Sequence, residues 1–165
     1  MKIFLIGFMG SGKSSYASEL AKILNYKYLD TDDFIKNKEG MSINDIFQNK
    51  GEKYFREIEN QVLQNDLLTQ KNCVISTGGG TPQFFDNMDF MNKNGITVFL
   101  KLDEETIYKR LKKSKFDRPL IKDMTDTELL VFIQEMYKKR KKYYNKAQIV
   151  ISPLIMKAKM LKRFF

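Results

Sequence analysis

Gly7-Phe8-Met9-Gly10-Ser11-Gly12-Lys13-Ser14 matches the spacing G-x-x-x-x-G-K-[ST], with an apolar run before it and a helical period after it. Glycines at these positions let the backbone wrap a phosphate, its N–H groups turned inward toward the anion and the following helix N-terminus adding positive potential. Gly10, Ser11, Gly12, Lys13, Ser14 and Ser15 are the expected nucleotide contacts. Lys13 would neutralise the β- and γ-phosphates, and the Ser14 hydroxyl would ligate Mg²⁺. The chemistry this predicts is that of a nucleoside triphosphate.

Two further clusters stand where the same chemistry would need them. Asp30-Thr31-Asp32 follows the second apolar run. In an open α/β sheet, ligands gather at the carboxyl ends of strands, which would put both carboxylates beside the phosphate loop. One acid could hold Mg²⁺ through water while the other receives an acceptor hydroxyl. Asp and Thr are also favoured helix N-caps, so one of the three residues could serve the next helix instead. Ser76-Thr77-Gly78-Gly79-Gly80-Thr81 closes the third run. Three successive glycines cost backbone entropy, and close approach of a ligand to the main chain is one reason to keep them. The Asn-Lys-x-Asp signature of GTPases is absent, and the third run carries no Asp-Glu pair of motor and transporter ATPases.

Composition narrows the field. The 165 residues contain no His and one Cys, which removes His-based triads, His-ligated metals, disulfide frameworks and thiolate zinc sites. Catalysis must come from carboxylates, Lys, Arg, hydroxyls or the backbone. The formal net charge is +9, yet all 20 acids precede Met136, and ten of the 29 bases follow it. That basic segment could meet nucleic acid or an anionic membrane, or be solvated helix surface. It lacks a recognition motif, and the expectation is no nucleic-acid partner. No apolar run is long enough to span a bilayer, so no membrane partner is expected; the four-residue run before Gly7 is too short for a signal peptide. Together with the single Cys this predicts a reduced, cytoplasmic protein.

The elements that must position these residues alternate. Ile3–Ile6, Tyr26–Leu29, Cys73–Ser76, Ile96–Leu100 and Gln148–Ile151 have strand length and apolarity. Between them, apolar residues recur at helical spacing, as in Ala17, Leu20, Ala21 and Leu24, in Phe55, Ile58 and Val62, and in Leu129, Ile133 and Met136. This predicts an α/β fold, a parallel sheet flanked by helices with right-handed crossovers, in one domain over residues 1–165. The polar stretch 112–125 reads as a lid.

Phosphate loop, Asp-Thr-Asp, Tyr54-Phe55-Arg56-Glu57, Gly-Gly-Gly and Asp117-Arg118-Pro119-Leu120, in that order, resemble the shikimate kinase family from Ile3 to about Tyr144. The resemblance implies a P-loop NTPase fold of the nucleoside-monophosphate-kinase-like type with a five-stranded parallel sheet, a lid, and a substrate-binding region over about residues 32–60. It implies a monomer that moves the γ-phosphate of ATP to the 3-hydroxyl of shikimate, with Mg²⁺ as cofactor. By position, Ser14 and Asp30 match the metal residues, and Asp32 matches the candidate base. Lys13 and Arg118 match the other catalytic positions, and Arg110 matches a residue flanking adenine. Arg56, Arg140 and Gly78, Gly79 and Gly80 match substrate contacts, with Phe47, Phe55 and Glu59 as pocket wall. Only five bases are Arg, and four of them fall on these positions. A carboxylate is matched by the planar guanidinium fork in a way that Lys cannot reproduce. On charge alone, Arg56 could pair with Glu52 or Glu59, and Arg140 could be one more charge in Lys138–Lys142. A P-loop kinase acting on gluconate or a nucleoside monophosphate is the nearest rival. The chain departs from the family after its last long helix: of Arg-x-Pro-Leu-Tyr it keeps only Arg140 and Tyr144. The loop beside adenine is shortened to Ser152-Pro153, and no adenine contact is assigned there.

Overall fold

The computed structural model describes residues 1–114, 121 and 124–165. Five parallel strands form one sheet in the order β2-β3-β1-β4-β5: β1 (Lys2–Ile6), β2 (Lys27–Asp30), β3 (Cys73–Ser76), β4 (Ile96–Leu100) and β5 (Ile149–Ile151). Helices α1 (Lys13–Leu24), α2 (Thr31–Glu39), α3 (Ile43–Gln61), α4 (Asn87–Asn94), α5 (Glu104–Lys113), α6 (Asp126–Tyr144) and α7 (Ala158–Leu161) connect and cover it. β1 lies at the centre, and its side chains alternate between two cores. Phe4 and Ile6 join Ile75, Phe99, Ile133 and Tyr144 on one face. Ile3 and Leu5 join Val74, Val98, Leu20 and Leu161 on the other. Burial on both faces explains why these strands read as unbroken apolar runs.

Three strands differ from the sequence reading by one residue at one or both ends: β1 begins at Lys2, β2 runs Lys27–Asp30, and β5 begins at Ile149. Asn25 adopts a left-handed conformation (φ 57°) as the C-cap of α1, and the Tyr26 N–H closes that cap on the Ala21 carbonyl. Tyr26 therefore belongs to the helix end, and the strand runs on to Asp30. Gln148 stays outside β5 because it bonds β4 with its side chain: its Oε1 accepts from the Thr97 N–H at 3.0 Å. In α6 the buried face is Leu129, Ile133, Tyr137, Arg140 and Tyr144, so Met136 lies at its flank, half-buried. The register of this face drives one arginine inward, while its neighbours Lys138, Lys139, Lys141 and Lys142 are all exposed.

α3 is two helical segments, 43–50 and 52–61, broken at Gly51, whose φ of 80° and ψ of 171° lie outside helical geometry. The break re-aims the second segment, which carries Phe55, Arg56 and Glu59 inward. Of the expected lid, Lys112 and Lys113 are the last residues of α5, and α6 begins at Asp126 with a capping box between Thr125 and Glu128. Arg118 and its neighbours lie outside the described residues.

Candidate active site

The phosphate loop joins β1 to α1. Gly10 (φ 79°) and Gly12 (φ 91°, the N-cap of α1) hold the left-handed conformations that side chains resist. Lys13, 8% exposed, donates through Nζ to the Gly7 carbonyl at 2.8 Å and the Phe8 carbonyl at 3.1 Å, so its ammonium sits inside the loop. Arg110 on α5 braces the outside: its Nη1 donates to the carbonyls of Gly10 (3.3 Å) and Ser11 (3.1 Å). The Ser11 hydroxyl is buried and has no hydrogen-bond partner among the described residues.

Asp30 and Asp32 stand at the end of β2, beside the loop. Asp30 is the N-cap of α2, its Oδ1 accepting from the Asp32 N–H at 3.0 Å. The capping use of the triplet is thus real and falls on Asp30. Its other oxygen, Oδ2, accepts from the Ser14 hydroxyl at 3.1 Å and from the Tyr28 hydroxyl at 3.0 Å, so the carboxylate also serves the loop. Ser14 Oγ lies 3.2 Å from Ser76 Oγ at the end of β3. Hydroxyl and carboxylate oxygens at such spacing are the hard donors that Mg²⁺ takes, as a few protein oxygens alongside water and phosphate. Asp32 is half-buried, and burial pushes its carboxyl up to about 6, aided by the charges of Asp30 and Glu59 and opposed by Lys13 and Lys36.

A cleft of about 1020 Å³ joins these groups: Lys13, Ser14, Ser15, Asp30, Asp32, Gly78, Gly79 and Arg110 all line it. Asp33, Lys36, Asn44, Lys109 and Lys113 line it too, and no motif had marked them. Their positions follow from the packing of α2, α3 and α5 around one sheet edge, which local spacing does not report.

The second cluster lies against the glycine run. Arg56 is 6% exposed and holds two carboxylates: Nη1 donates to Glu59 at 2.9 Å, and Nη2 to Glu52 at 3.0 Å. Its guanidinium lies 4.4 Å from the Phe84 ring and 5.0 Å from the Phe55 ring. Phe47 packs on Phe55 with ring centroids 4.7 Å apart. Glu59 is fully buried and accepts from the Thr81 hydroxyl at 2.5 Å. Arg56 thus makes both ion pairs that charge alone suggested, one with the buried Glu59 and one with the exposed Glu52. Arg140 is 2% exposed, and its Nη1 has no hydrogen-bond partner among the described residues. Neither arginine lines the cleft itself, nor do Phe47, Phe55, Gly80 or Glu59; these residues flank the Gly78–Gly79 wall.

The glycine run has a steric cause within the protein. None of its three residues has a positive φ. A Cβ at Gly78 would collide with Glu59 Oε1, and one at Gly80 would stand 2.8 Å from Arg56 Nη2. Side chains of α3, as well as any ligand, require the bare backbone. Gly80→Ala is expected to destabilise the fold by roughly 1–3 kcal/mol, the usual cost of overpacking, because the guanidinium it meets is held by two carboxylates. Chemical denaturation of parent and variant measures this directly, and an unchanged midpoint would show that Arg56 moves aside freely.

A phosphate loop facing paired aspartates at the carboxyl edge of a five-stranded parallel sheet defines a P-loop NTPase fold. Residues 9–159 match the family model described as shikimate kinase. A shikimate kinase of Azobacteroides pseudotrichonymphae is 48% identical over 149 residues, covering 90% of this chain and 88% of that protein. The chain belongs to the shikimate kinase family. Among solved structures, the shikimate kinase of Bacteroides thetaiotaomicron superposes with a TM-score of 0.88 at 38% identity, covering 92% of this chain and 86% of that one. The Acinetobacter baumannii enzyme, solved in complex with shikimate, gives 0.87 at 32% identity, covering 99% and 89%. A deoxyadenosine kinase of M. mycoides shares the fold alone, at 18% identity and a TM-score of 0.59.

Proposed function

We propose that this protein transfers the γ-phosphoryl group of ATP to the 3-hydroxyl of shikimate, giving shikimate 3-phosphate on the route to chorismate and the aromatic amino acids. The observation that carries the assignment is the buried Arg140 guanidinium, its Nη1 unpartnered beside Gly79, next to a cleft that also holds the phosphate loop and Asp32. A buried, unsatisfied guanidinium is costly unless an anion completes it, and a planar carboxylate fits its geometry.

Phosphoryl transfer asks a protein mainly for positioning and charge neutralisation. Lys13 and the loop N–H groups hold the phosphates. Arg140 and Arg56 anchor the acceptor's carboxylate, with Gly78, Gly79 and Gly80 as the wall beneath it and Phe47, Phe55 and Glu59 behind. Asp32 orients the hydroxyl and takes its proton as the new O–P bond forms and the bond from Pγ to the β–γ bridging oxygen breaks, releasing ADP. Ser14 and Asp30 would hold Mg²⁺, which supplies charge neutralisation on the phosphate oxygens when bound. Arg110 steadies the loop on the nucleotide side.

The protein is further read as a monomeric, cytoplasmic enzyme without a nucleic-acid or membrane partner. No described helix is long and apolar enough to cross a membrane. Nine of the ten bases after Met136 are exposed, as solvated surface lysines would be, and Arg140 alone is buried.

The test is incubation with ATP, Mg²⁺ and shikimate, with mass detection of the phosphorylated product. Parallel reactions contain gluconate or nucleoside monophosphates. Turnover of one of those, with none of shikimate, would overturn the assignment. Arg56→Lys is expected to weaken shikimate binding by a few kcal/mol, because Lys cannot reproduce a bidentate guanidinium contact. Calorimetric titration reads this as a raised Kd for shikimate beside an unaltered Kd for ATP.

A further inference from the structure

Arg140 reaches its place from a helix whose adjacent residues are all solvated, and something must hold its head group in one pose. The guanidinium stacks 5.4 Å from the Phe8 ring, which supports it on one side without fixing its rotation in plane. Its Nε donates to Gln83 Oε1, at 3.3 Å, across 57 residues of chain, and the guanidinium also interacts with the Tyr144 hydroxyl on its own helix. Nε–H can only donate, so the amide oxygen must be the end of Gln83 that faces it. With Nε taken, the Nη edge remains for an anion, and Nη1 is the buried atom that has no partner. A Cβ on Gly79 would stand 3.6 Å from that same Nη1.

Gln83 is itself placed by the backbone. It ends the short 3₁₀ turn Thr81–Gln83 that follows the glycine run, and its N–H donates to the Gly80 carbonyl at 2.9 Å. From the other side, Tyr144, one turn beyond Arg140 on α6, donates its hydroxyl to the Gly79 carbonyl at 2.5 Å. Helix and glycine turn are therefore tied through both residues, and Gln83 is the one that holds the guanidinium at Nε from the turn.

We propose that Gln83 is a positioning residue for substrate binding: its amide oxygen locks the rotation of the Arg140 guanidinium so that the Nη edge meets the carboxylate of the acceptor. Gln83 makes no contact with the reacting atoms in this role. The proposal rests on the assignment of shikimate as acceptor given above.

The experiment is a double-mutant cycle on shikimate affinity, with Gln83→Met, which keeps the length of the side chain and removes the acceptor, and Arg140→Lys, which removes Nε and the fork. Calorimetry gives Kd for shikimate, steady-state kinetics give kcat and the KM for ATP, and thermal unfolding controls for folding. Gln83→Met is expected to raise the shikimate Kd about tenfold, the value of one hydrogen bond to a charged group, with kcat and the ATP KM little changed. In the Arg140→Lys background the same substitution should have no further effect, since the group through which it acts is gone. An unchanged Kd in the single variant, or full additivity in the double variant, overturns the positioning role. Absence of shikimate binding by the parent protein would instead overturn the functional assignment, so the two failures are separable. If the single variant unfolds below working temperature, Gln83→Glu, which retains an oxygen acceptor for Nε, provides the second reading. It should keep the guanidinium in place yet weaken shikimate binding through its competing charge, with the loss growing as salt is lowered. Affinity equal to the parent at every salt concentration counts against the proposal.

Discussion

Asp32→Asn lowers turnover by roughly 10²- to 10⁴-fold, the range over which a positioned general base contributes, and leaves ATP affinity near that of the parent. The amide can still accept a hydrogen bond from the acceptor hydroxyl, but it cannot take the proton. Single-turnover measurement at saturating ATP and shikimate checks the rate, and nucleotide titration checks the binding. Turnover equal to the parent would remove Asp32 from the proton path. The pH dependence gives a second signature. Because burial raises the Asp32 carboxyl to about 6, kcat/KM for shikimate in the parent should climb with pH through that value, and the variant should lack this limb. Stability moves the opposite way. The folded protein binds the Asp32 proton more tightly than the unfolded chain, whose Asp titrates near 3.9. Stability associated with this residue is therefore full below about pH 4, falls as pH rises to about 6, and stays low above it. Asp32→Asn should then unfold at a higher temperature than the parent at pH 7, and the two should converge near pH 4. A catalytic carboxylate held in an unfavourable environment is a familiar exchange of stability for activity.

Lys13→Met is the second large effect, expected to reduce kcat/KM for ATP by roughly 10²- to 10³-fold, the loss that follows removal of one preorganised charge from a phosphoryl-transfer site. The ammonium is buried inside the loop by its bonds to the Gly7 and Phe8 carbonyls. Methionine keeps the apolar stem and removes those donors, so two loop carbonyls lose their partner as well. Rate and ATP affinity should both suffer, which distinguishes this variant from Asp32→Asn. Equilibrium binding of ATP beside steady-state kinetics separates the two patterns, and ATP affinity like that of the parent would show that Lys13 acts on the transition state alone.

The chain displays its nucleotide site openly because that site is contiguous. Gly7 to Gly12 is one loop, Lys13 and Ser14 open the helix that follows it, and every residue needed to shape the site is within one turn of the next. The Asp30–Asp32 pair was equally visible, since a strand end projects alternate residues into a cleft that the fold class already predicts. The glycine run was visible too, but its cause was not: Glu59 and Arg56 crowd Gly78 and Gly80 from about twenty residues upstream, and no local pattern encodes that approach. Arg140 presents the sharpest contrast. Within Lys138–Lys142 it reads as one charge of five, and only the packing of α6 on Phe8 and the glycine turn makes it the buried member. Gln83 left no signal at all, because an amide in a turn is an ordinary surface residue until a guanidinium from α6 arrives beside it.

Read alone, the sequence determined the chemistry. With no His and one Cys, it confined catalysis to carboxylates, Lys, Arg, hydroxyls or the backbone, and its alternating apolar runs and helical periods predicted a parallel sheet to carry them. These are properties of residue type and short-range spacing, which the chain expresses before it folds. The tertiary structure decided the state of each group: that Asp30 caps a helix while serving Ser14, that Asp32 is buried enough to hold its proton to about 6, that Arg56 is already held by two carboxylates, and that Arg140 has an Nη1 left over. Burial and partnership are set by contacts between residues distant in the chain. For that reason the +9 charge, conspicuous in composition, proved less informative than the one base of the C-terminal segment that the fold turned inward.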